Sequence, residues 1–462
     1  MAAKLSRREF VNRAAAVGLG VLTAPVLSGC EQTSGGDSVD LLAWSQVTPQ
    51  VDLWRTKALR VAAREVEDFD LELMTRDIAE EWPDYLNKFT VAASSGTAPQ
   101  IVVAGHELCA PWSAAGWIAT FDDCRERHDE FDKLFPGLWK AVEFDGRTWG
   151  VPFEPEARPM FFHKGKLREL GWSEAQVDEL PDRLANGTFT LDDLVETSRQ
   201  AIDKGVVRNG FAYWHRPQPG FDFLQYYVAY GGTLYDEARR KLVVRRDPLR
   251  DFFAFQRRVV EEELTPRNFI PTEWETWHST VAGGETLFWN GGIWMWAEWL
   301  ADYIGGKDEG YLSGFVGYGL QPTGVRGERG QTLSRPLAYF VTSNQASGAS
   351  AEQIDAACAL LATSMNAETR TPEVLESAHL AWLESQEESP AYEADTFLSD
   401  VTYMIQDDNA FFVPNDVNFG QYNTIIYDHM LRAEQGEISP AQAADGVVAR
   451  MQLELRDAVV FE

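Results

Sequence analysis

The sequence is short of positive charge, of cysteine and histidine, and of long apolar runs. Its 462 residues carry 41 Lys and Arg against 71 Asp and Glu, a formal net charge of −30. So acidic a surface repels phosphate backbones, which excludes nucleic acid as a partner and favours solubility. The 7 His are scattered without metal-ligand spacing, so no metal site and no cofactor is implied. Gly-x-Ser-x-Gly, Gly-x-x-x-x-Gly-Lys and His-Glu-x-x-His are all absent, which removes three common catalytic signatures. Beyond the first thirty residues no stretch is apolar for long enough to span a bilayer.

What the chain does carry is tryptophan, 16 in all, within a composition that is 45% hydrophobic. Large cores are therefore affordable, and at roughly 100–200 residues per domain the length suggests two or three domains. Most of the indoles belong in cores, because Trp brings a large apolar area. The rest are candidate stacking platforms for a flat ligand face.

The first thirty residues read as an address. Arg7-Arg8 precede Phe10, an apolar stretch runs from Ala14 to Leu27, and Leu27-Ser28-Gly29-Cys30 closes it. The order resembles a twin-arginine signal over residues 1–29 ending in a lipobox, whose Cys30 becomes the lipid anchor. Residues 30–38, polar and rich in Ser and Gly, form a flexible tether. The expectation is an exported, membrane-anchored protein at the outer face of the cytoplasmic membrane or in the periplasm. Outside the cytosol disulfides are allowed. Cys109 and Cys124 are close enough in sequence to pair, whereas Cys358 lies in an apolar helical run and reads as inert core.

From Val39 onward strands alternate with helices. Val39–Trp44, Phe69–Met74 and Ile101–Ala104 read as strands, with helices at 51–67 and 78–95 between them. That alternation predicts an α/β domain with a largely parallel sheet. Gly and Pro cluster over 145–159 and again over 305–336, so the chain is expected to cross between two lobes more than once. Later helices are expected at 191–204, 248–263, 294–304, 351–366 and 439–457, a strand at 337–342, and a loop over 265–276. A monomer is expected.

Several passages, in order, resemble the extracellular solute-binding proteins that serve sugar ABC importers. Ala92-Ala93-Ser94-Ser95-Gly96-Thr97-Ala98-Pro99-Gln100-Ile101 is similar to the family's helix end and following strand, with Gln100 for the usual Asp. Ala115-Gly116-Trp117-Ile118, Asp145-Gly146-Arg147-Thr148-Trp149-Gly150-Val151-Pro152, Phe161-Phe162-His163-Lys164 and Thr190-Leu191-Asp192-Asp193-Leu194 follow. Gly231-Gly232-Thr233-Leu234-Tyr235-Asp236 and Asn290-Gly291-Gly292-Ile293-Trp294 complete the series. The resemblance implies a two-lobed, type II periplasmic-binding-protein-like fold with a hinge and an inter-lobe cleft. The lobes are expected at 39–152 with 315–366, and at 153–314 with 367–462. It also implies a small-molecule solute, a sugar or oligosaccharide, and the importer's membrane subunits as partners.

A sugar shows hydroxyls at its rim and C–H groups on its faces, so its site needs aromatic platforms beside planar polar groups. In open α/β sheets, ligands sit at the carboxyl ends of strands. That rule selects Trp44 and Ser45, His106, the charged run Glu154, Glu156 and Arg158, then Trp214, His215 and Asp222. Trp289, Asn290, Gly291 and Trp294 carry the highest aromatic density, and by resemblance Trp294 stacks on the ring. A rival reading is an exported glycoside hydrolase, which needs two carboxylates about 5–10 Å apart. Glu154 and Glu156 oppose it, since alternate residues of an extended segment point to opposite sides. A binding protein for a non-sugar solute and a surface adhesin are two further rivals.

Overall fold

The computed structural model describes residues 38–47, 54–215, 220–267, 274–406 and 408–462. Arg7, Arg8, Cys30 and most of the tether lie outside the described residues. Residues Ser38–Glu462 form one compact unit.

The early alternation appears as β1 (Val39–Gln46), helix Trp54–Ala62, β2 (Leu71–Ile78), helix Trp82–Ser94 and β3 (Ile101–Gly105). Apolar side chains fill the core face of β1, and β3 is buried throughout, as a central strand covered on both faces must be. A hairpin, β4 (Glu143–Phe144) and β5 (Arg147–Thr148), leads into β6 (Val151–Phe153). Its turn is Asp145-Gly146, both at positive φ, the Asp-Gly pair that a two-residue hairpin loop demands. Glu154–Pro159 then crosses to β7 (Met160–His163).

Beyond the crossing come β8 (Tyr213–Trp214), β9 (Tyr235–Asp236), β10 (Lys241–Val244), β11 (Phe288–Asn290) and β12 (Val316–Gly319). The last strands are β13 (Thr332–Ser334), β14 (Leu337–Val341), β15 (Ala410–Phe412) and β16 (Val459–Phe461). One five-stranded sheet has the order β2-β1-β3-β14-β6, and a four-stranded sheet has the order β12-β7-β11-β8. Within the first, β1 runs parallel to β2 and β3, while β14 returns antiparallel to β3 and β6. Two sheets joined through Glu154–Pro159 and through residues 320–336, between β12 and β14, give the two-lobed architecture. A short parallel pair forms where β13, within this second crossing, meets β15. Helix Ala367–Ser377 packs against helix Trp54–Ala62.

Three expectations need correction. Cys124 pairs with Cys358, not with Cys109. Helix Asp122–Arg127 packs against helix Ala351–Thr363, and the Cα atoms of the two cysteines approach to 5.6 Å, normal disulfide spacing. Cys109 stays a buried thiol that donates to Val142 O at 3.4 Å. The expected loop over 265–276 ends early, because helix Trp274–Ala282 begins there. It stacks Trp274 on Trp277 at 5.7 Å and buries Trp277 completely. The 294–304 helix is α-helical only over Met295–Glu298. It then widens, and Ile304 N–H reaches back five residues to Trp299 O at 3.2 Å. Such wide turns often mark functional sites.

Candidate functional site

The crossing segment gathers charge. Arg158 donates from Nε to Glu156 Oε1 at 3.0 Å and from Nη1 to Asp222, an ion pair between the crossing and the 3₁₀ turn Phe221–Phe223. Its guanidinium also lies 5.2 Å from the Trp294 ring centroid, a cation–π distance. On Trp294 the ring of His379 stacks at 6.2 Å and 12°. His379 Nε2 lies 3.8 Å from Glu154 Oε2.

Glu154 itself sits at φ 46°, a conformation that a non-glycine residue keeps only when its surroundings enforce it. The enforcement comes from Arg55, whose Nε donates to both carboxylate oxygens at 2.8 and 2.9 Å. Burial alone would push the Glu154 carboxyl up, but Arg55 and then His379 outweigh it and hold it near about 2. Behind it, burial pushes Glu373 up to about 8, with Arg370 pulling down and Glu154 adding to the rise. Arg370 joins Glu373 at 2.7 Å and Tyr339 Oη at 2.7 Å, and Tyr339 donates to Arg55 O at 3.0 Å. Burial lowers His379, against the opposing pull of Glu154.

The turn at Asn290 is stitched to this segment. Asn290 Nδ2 donates to Pro159 O at 3.2 Å, and Ile293 N–H to Ala157 O at 3.1 Å. Gly292 is required for close approach: a Cβ there would lie 1.7 Å from the Trp294 ring. Gly291 is similarly confined, with Met295 Sδ 2.9 Å from its would-be Cβ.

A second layer adjoins the first. Arg335, in the other crossing, pairs with Glu107 at 3.0 Å. Its guanidinium lies 5.4 Å from the Trp82 ring and 5.5 Å from Phe221, and Phe221 stacks on Phe419 at 5.4 Å. Arg335 overcomes the burial cost and keeps the Glu107 carboxyl below its usual range.

The candidates chosen from sequence therefore divide. Glu154, Glu156, Arg158, Asp222, Asn290, Gly291 and Trp294 meet in one place. Trp44 and Ser45 adjoin it, because Arg55 Nη1 also donates to Gln46 O at 3.0 Å. His215 stacks on Phe223 at 3.9 Å, immediately beyond Asp222. Trp289 and Trp214 instead pair in register on β11 and β8 as core, with Trp289 stacked on Phe161 at 5.7 Å. His106 is a strut: its ring nitrogens meet Pro336 O and Val413 O, both at 3.1 Å, leaving neither for a ligand. Of these candidates Trp294 alone is half-exposed; the others are buried. Trp82 and Phe221 are the other half-exposed rings of the cluster. Arg55, Trp82, Arg335, His379 and Phe419 belong to the cluster and were not selected from sequence. The signal for Arg335 was available, since Ser334-Arg335-Pro336 sits between two strands in the second Gly/Pro passage.

An open cavity neighbours this seam. About 760 Å³ in volume, it lies between the β4–β5 hairpin, residues 228–240 and residues 411–415. It adjoins the charged cluster through Val413, the acceptor for His106.

The family model for bacterial extracellular solute-binding proteins matches residues 76–369. The chain belongs to that family. This solute-binding protein superposes on the GacH receptor of Streptomyces glaucescens, solved unliganded and with acarbose, with a TM-score of 0.71. The superposition covers 91% of this chain and 99% of that one at 16% identity. Maltose-bound MalE3 of T. maritima gives a TM-score of 0.68 at 18% identity, covering 90% and 100%. The cyclic alpha-maltosyl-1,6-maltose binding protein of Arthrobacter globiformis gives 0.68 at 17%, covering 91% and 100%. These likenesses establish the two-lobed type II binding-protein fold. Among curated proteins, the maltotriose-binding protein of Pyrococcus abyssi is 24% identical over 160 residues. That match spans 35% of the solute-binding protein and 31% of the relative, about a third of its length.

Proposed function

We propose that this solute-binding protein captures a sugar or oligosaccharide and delivers it to the membrane subunits of an ABC importer. The observation that carries the reading is Trp294. Its half-exposed indole is the platform, and Arg158, Glu156 and Asp222 stand beside it as planar groups that hydrogen-bond hydroxyls. Both crossing segments contribute, so ligand contacts made only in the closed arrangement shift the open–closed equilibrium toward closure. The relative named for maltotriose and the neighbours solved with maltose or acarbose support a glucan-like ligand.

We assign Cys30 as the lipid anchor and residues 1–29 as its export signal, with the protein held at the outer face of the cytoplasmic membrane. We place the first lobe around the five-stranded sheet and the second around the four-stranded sheet, meeting at Glu154–Pro159 and at residues 320–336. Binding rather than hydrolysis is the activity: Glu154 and Glu156 are each ion-paired to an Arg, so neither is the protonated general acid that hydrolysis needs. The test is a thermal-shift screen against mono- and oligosaccharides, because a ligand that binds only the folded state raises its melting point. Maltotriose at 100 times its Kd adds about 2.7 kcal/mol of stability. A melting point indifferent to every saccharide, but raised by an amino acid or peptide, would overturn the sugar reading.

A further inference from the structure

Helix Trp274–Ala282 braces the segment that carries Trp294 at both ends. At one end Trp277, fully buried, packs on the Asn290 turn: a Cβ on Gly291 would lie 3.2 Å from the tip of its indole. At the other end the next residue, His278, takes hold of the wide turn Trp299–Tyr303. Trp299 Nε1 donates to His278 Nδ1 at 2.9 Å, and the Tyr303 ring stacks on the imidazole at 4.6 Å and 14°. His278 and Trp299 are both fully buried. The stretch between the braces is short. It holds Trp294 and the single turn Met295–Glu298, whose Glu298 N–H returns to Trp294 O at 3.5 Å.

The bond to Trp299 fixes the proton on the histidine. An indole N–H donates and cannot accept, so Nδ1 is the acceptor and the neutral ring carries its hydrogen on Nε2. Nε2 lies 3.6 Å from Glu298 Oε2, so that hydrogen faces a carboxylate. A second proton has only Nδ1 to go to, where it would meet the Trp299 N–H head-on. The charged ring and the Trp299 bond therefore exclude one another, and losing the bond leaves a buried indole N–H without its acceptor. Among the described residues, the other titratable group against the ring is Tyr303. Beyond it stand Glu275, which accepts from Tyr303 Oη at 2.9 Å, and Asp302.

The geometry points to His278 as a positioning residue for the platform: its neutral imidazole, through Trp299 and the wide turn, holds Trp294 in the pose that stacks on solute. Imidazole is the side chain whose ordinary change of charge falls between pH 5 and 8, so the pose and the affinity it supports decline together on acidification. The effect on affinity rests on the saccharide reading above; the positioning itself does not.

Two measurements on the full chain test it. One is the nitrogen–proton correlation spectrum of the indole groups without ligand, titrated from about pH 8 to about pH 5. Trp299→Phe and Trp294→Phe identify the two signals by their loss. Both signals are expected to move with one shared midpoint. That shared transition is absent in His278→Gln, whose amide oxygen accepts the indole N–H without titrating. His379 also faces Trp294 and keeps its own titration in that variant. A Trp294 signal that does not follow Trp299, or a shared transition that survives in His278→Gln, overturns the positioning role. The other measurement is calorimetry with maltotriose at about pH 7.5 and about pH 5.5. The wild type is expected to lose affinity about tenfold at the lower pH, while His278→Gln binds at both as the wild type does at the higher. His278→Leu, which removes the acceptor, should bind about tenfold more weakly at both; if it does not fold, the wild type and His278→Gln decide the matter. Equal affinities in every protein at both pH values, with binding intact, overturn the link to solute. A shared transition without any maltotriose binding keeps the positioning and overturns the saccharide reading.

Discussion

Replacing Gly292 by Ala is expected to cost binding far more than stability. A Cβ at that position would lie 1.7, 2.0 and 2.2 Å from three atoms of the Trp294 ring. Carbon atoms in contact sit about 3.5–4.0 Å apart, so the indole must retreat by about 2 Å. Its two partners, the Arg158 guanidinium at 5.2 Å and the His379 ring at 6.2 Å, are fixed by ion pairs and burial and do not follow. Overfilling a packed site costs about 1–3 kcal/mol. Losing a largely desolvated cation–π contact costs about 2 kcal/mol. Trp294 is half-exposed and has room to swing outward, so the fold absorbs the change while the platform is lost. Maltotriose affinity should fall about 10- to 100-fold by calorimetry, each factor of ten being about 1.4 kcal/mol. The melting point should move by only a few degrees. In a Trp294→Ala background the same substitution should cost almost nothing, because coupled residues are non-additive. Wild-type affinity in G292A, or an undiminished loss when G292A is added to W294A, would refute the assignment of Trp294 as platform.

Other expectations follow from the same geometry. Glu154 is held low, so its contribution to stability is present above its unfolded pKa and is lost as pH falls toward about 2. Glu373 is held high, so its contribution is present at low pH and is lost as pH rises through about 8; Glu373→Gln should flatten that alkaline loss in pH-dependent denaturant unfolding. Reducing Cys124–Cys358, which spans 234 residues, should lower stability by about 2–5 kcal/mol, whereas Cys109→Ser should leave the reductant response unchanged. His106→Ala removes the ring partner of the Val413 carbonyl, while Pro336 O keeps the backbone N–H of residue 106, and should cost about 1–3 kcal/mol in urea unfolding, with the order of preference among saccharides unaltered.

Much of the fold was legible because period and punctuation agree along the early chain. Each expected strand from Val39 to Ile101 is present within a few residues, and Gly96 stands after the helix Trp82–Ser94 as anticipated. The charged run at 154–158 was legible as a crossing because proline and glycine mark it. The disulfide was not, since sequence proximity of Cys109 and Cys124 says nothing about which helices pack. His106 follows a buried strand as a ligand residue would, yet two backbone carbonyls claim its ring. Arg55, Trp82 and His379 escaped notice for a different reason. Each comes from a helix or connection distant in sequence, and no local pattern announces that Arg55 must hold a strained Glu154. Trp214 and Trp289 carried the right chemistry, but their strands place both indoles inside the second sheet's core.

The most direct test of the account is a crystal structure of the mature protein grown with maltotriose. A glucose ring lying on the Trp294 indole, its hydroxyls bonded to Arg158, Glu156 or Asp222, is the predicted result. Saccharide bound away from Trp294, or a seam that stays shut and empty while calorimetry reports tight binding, would contradict it.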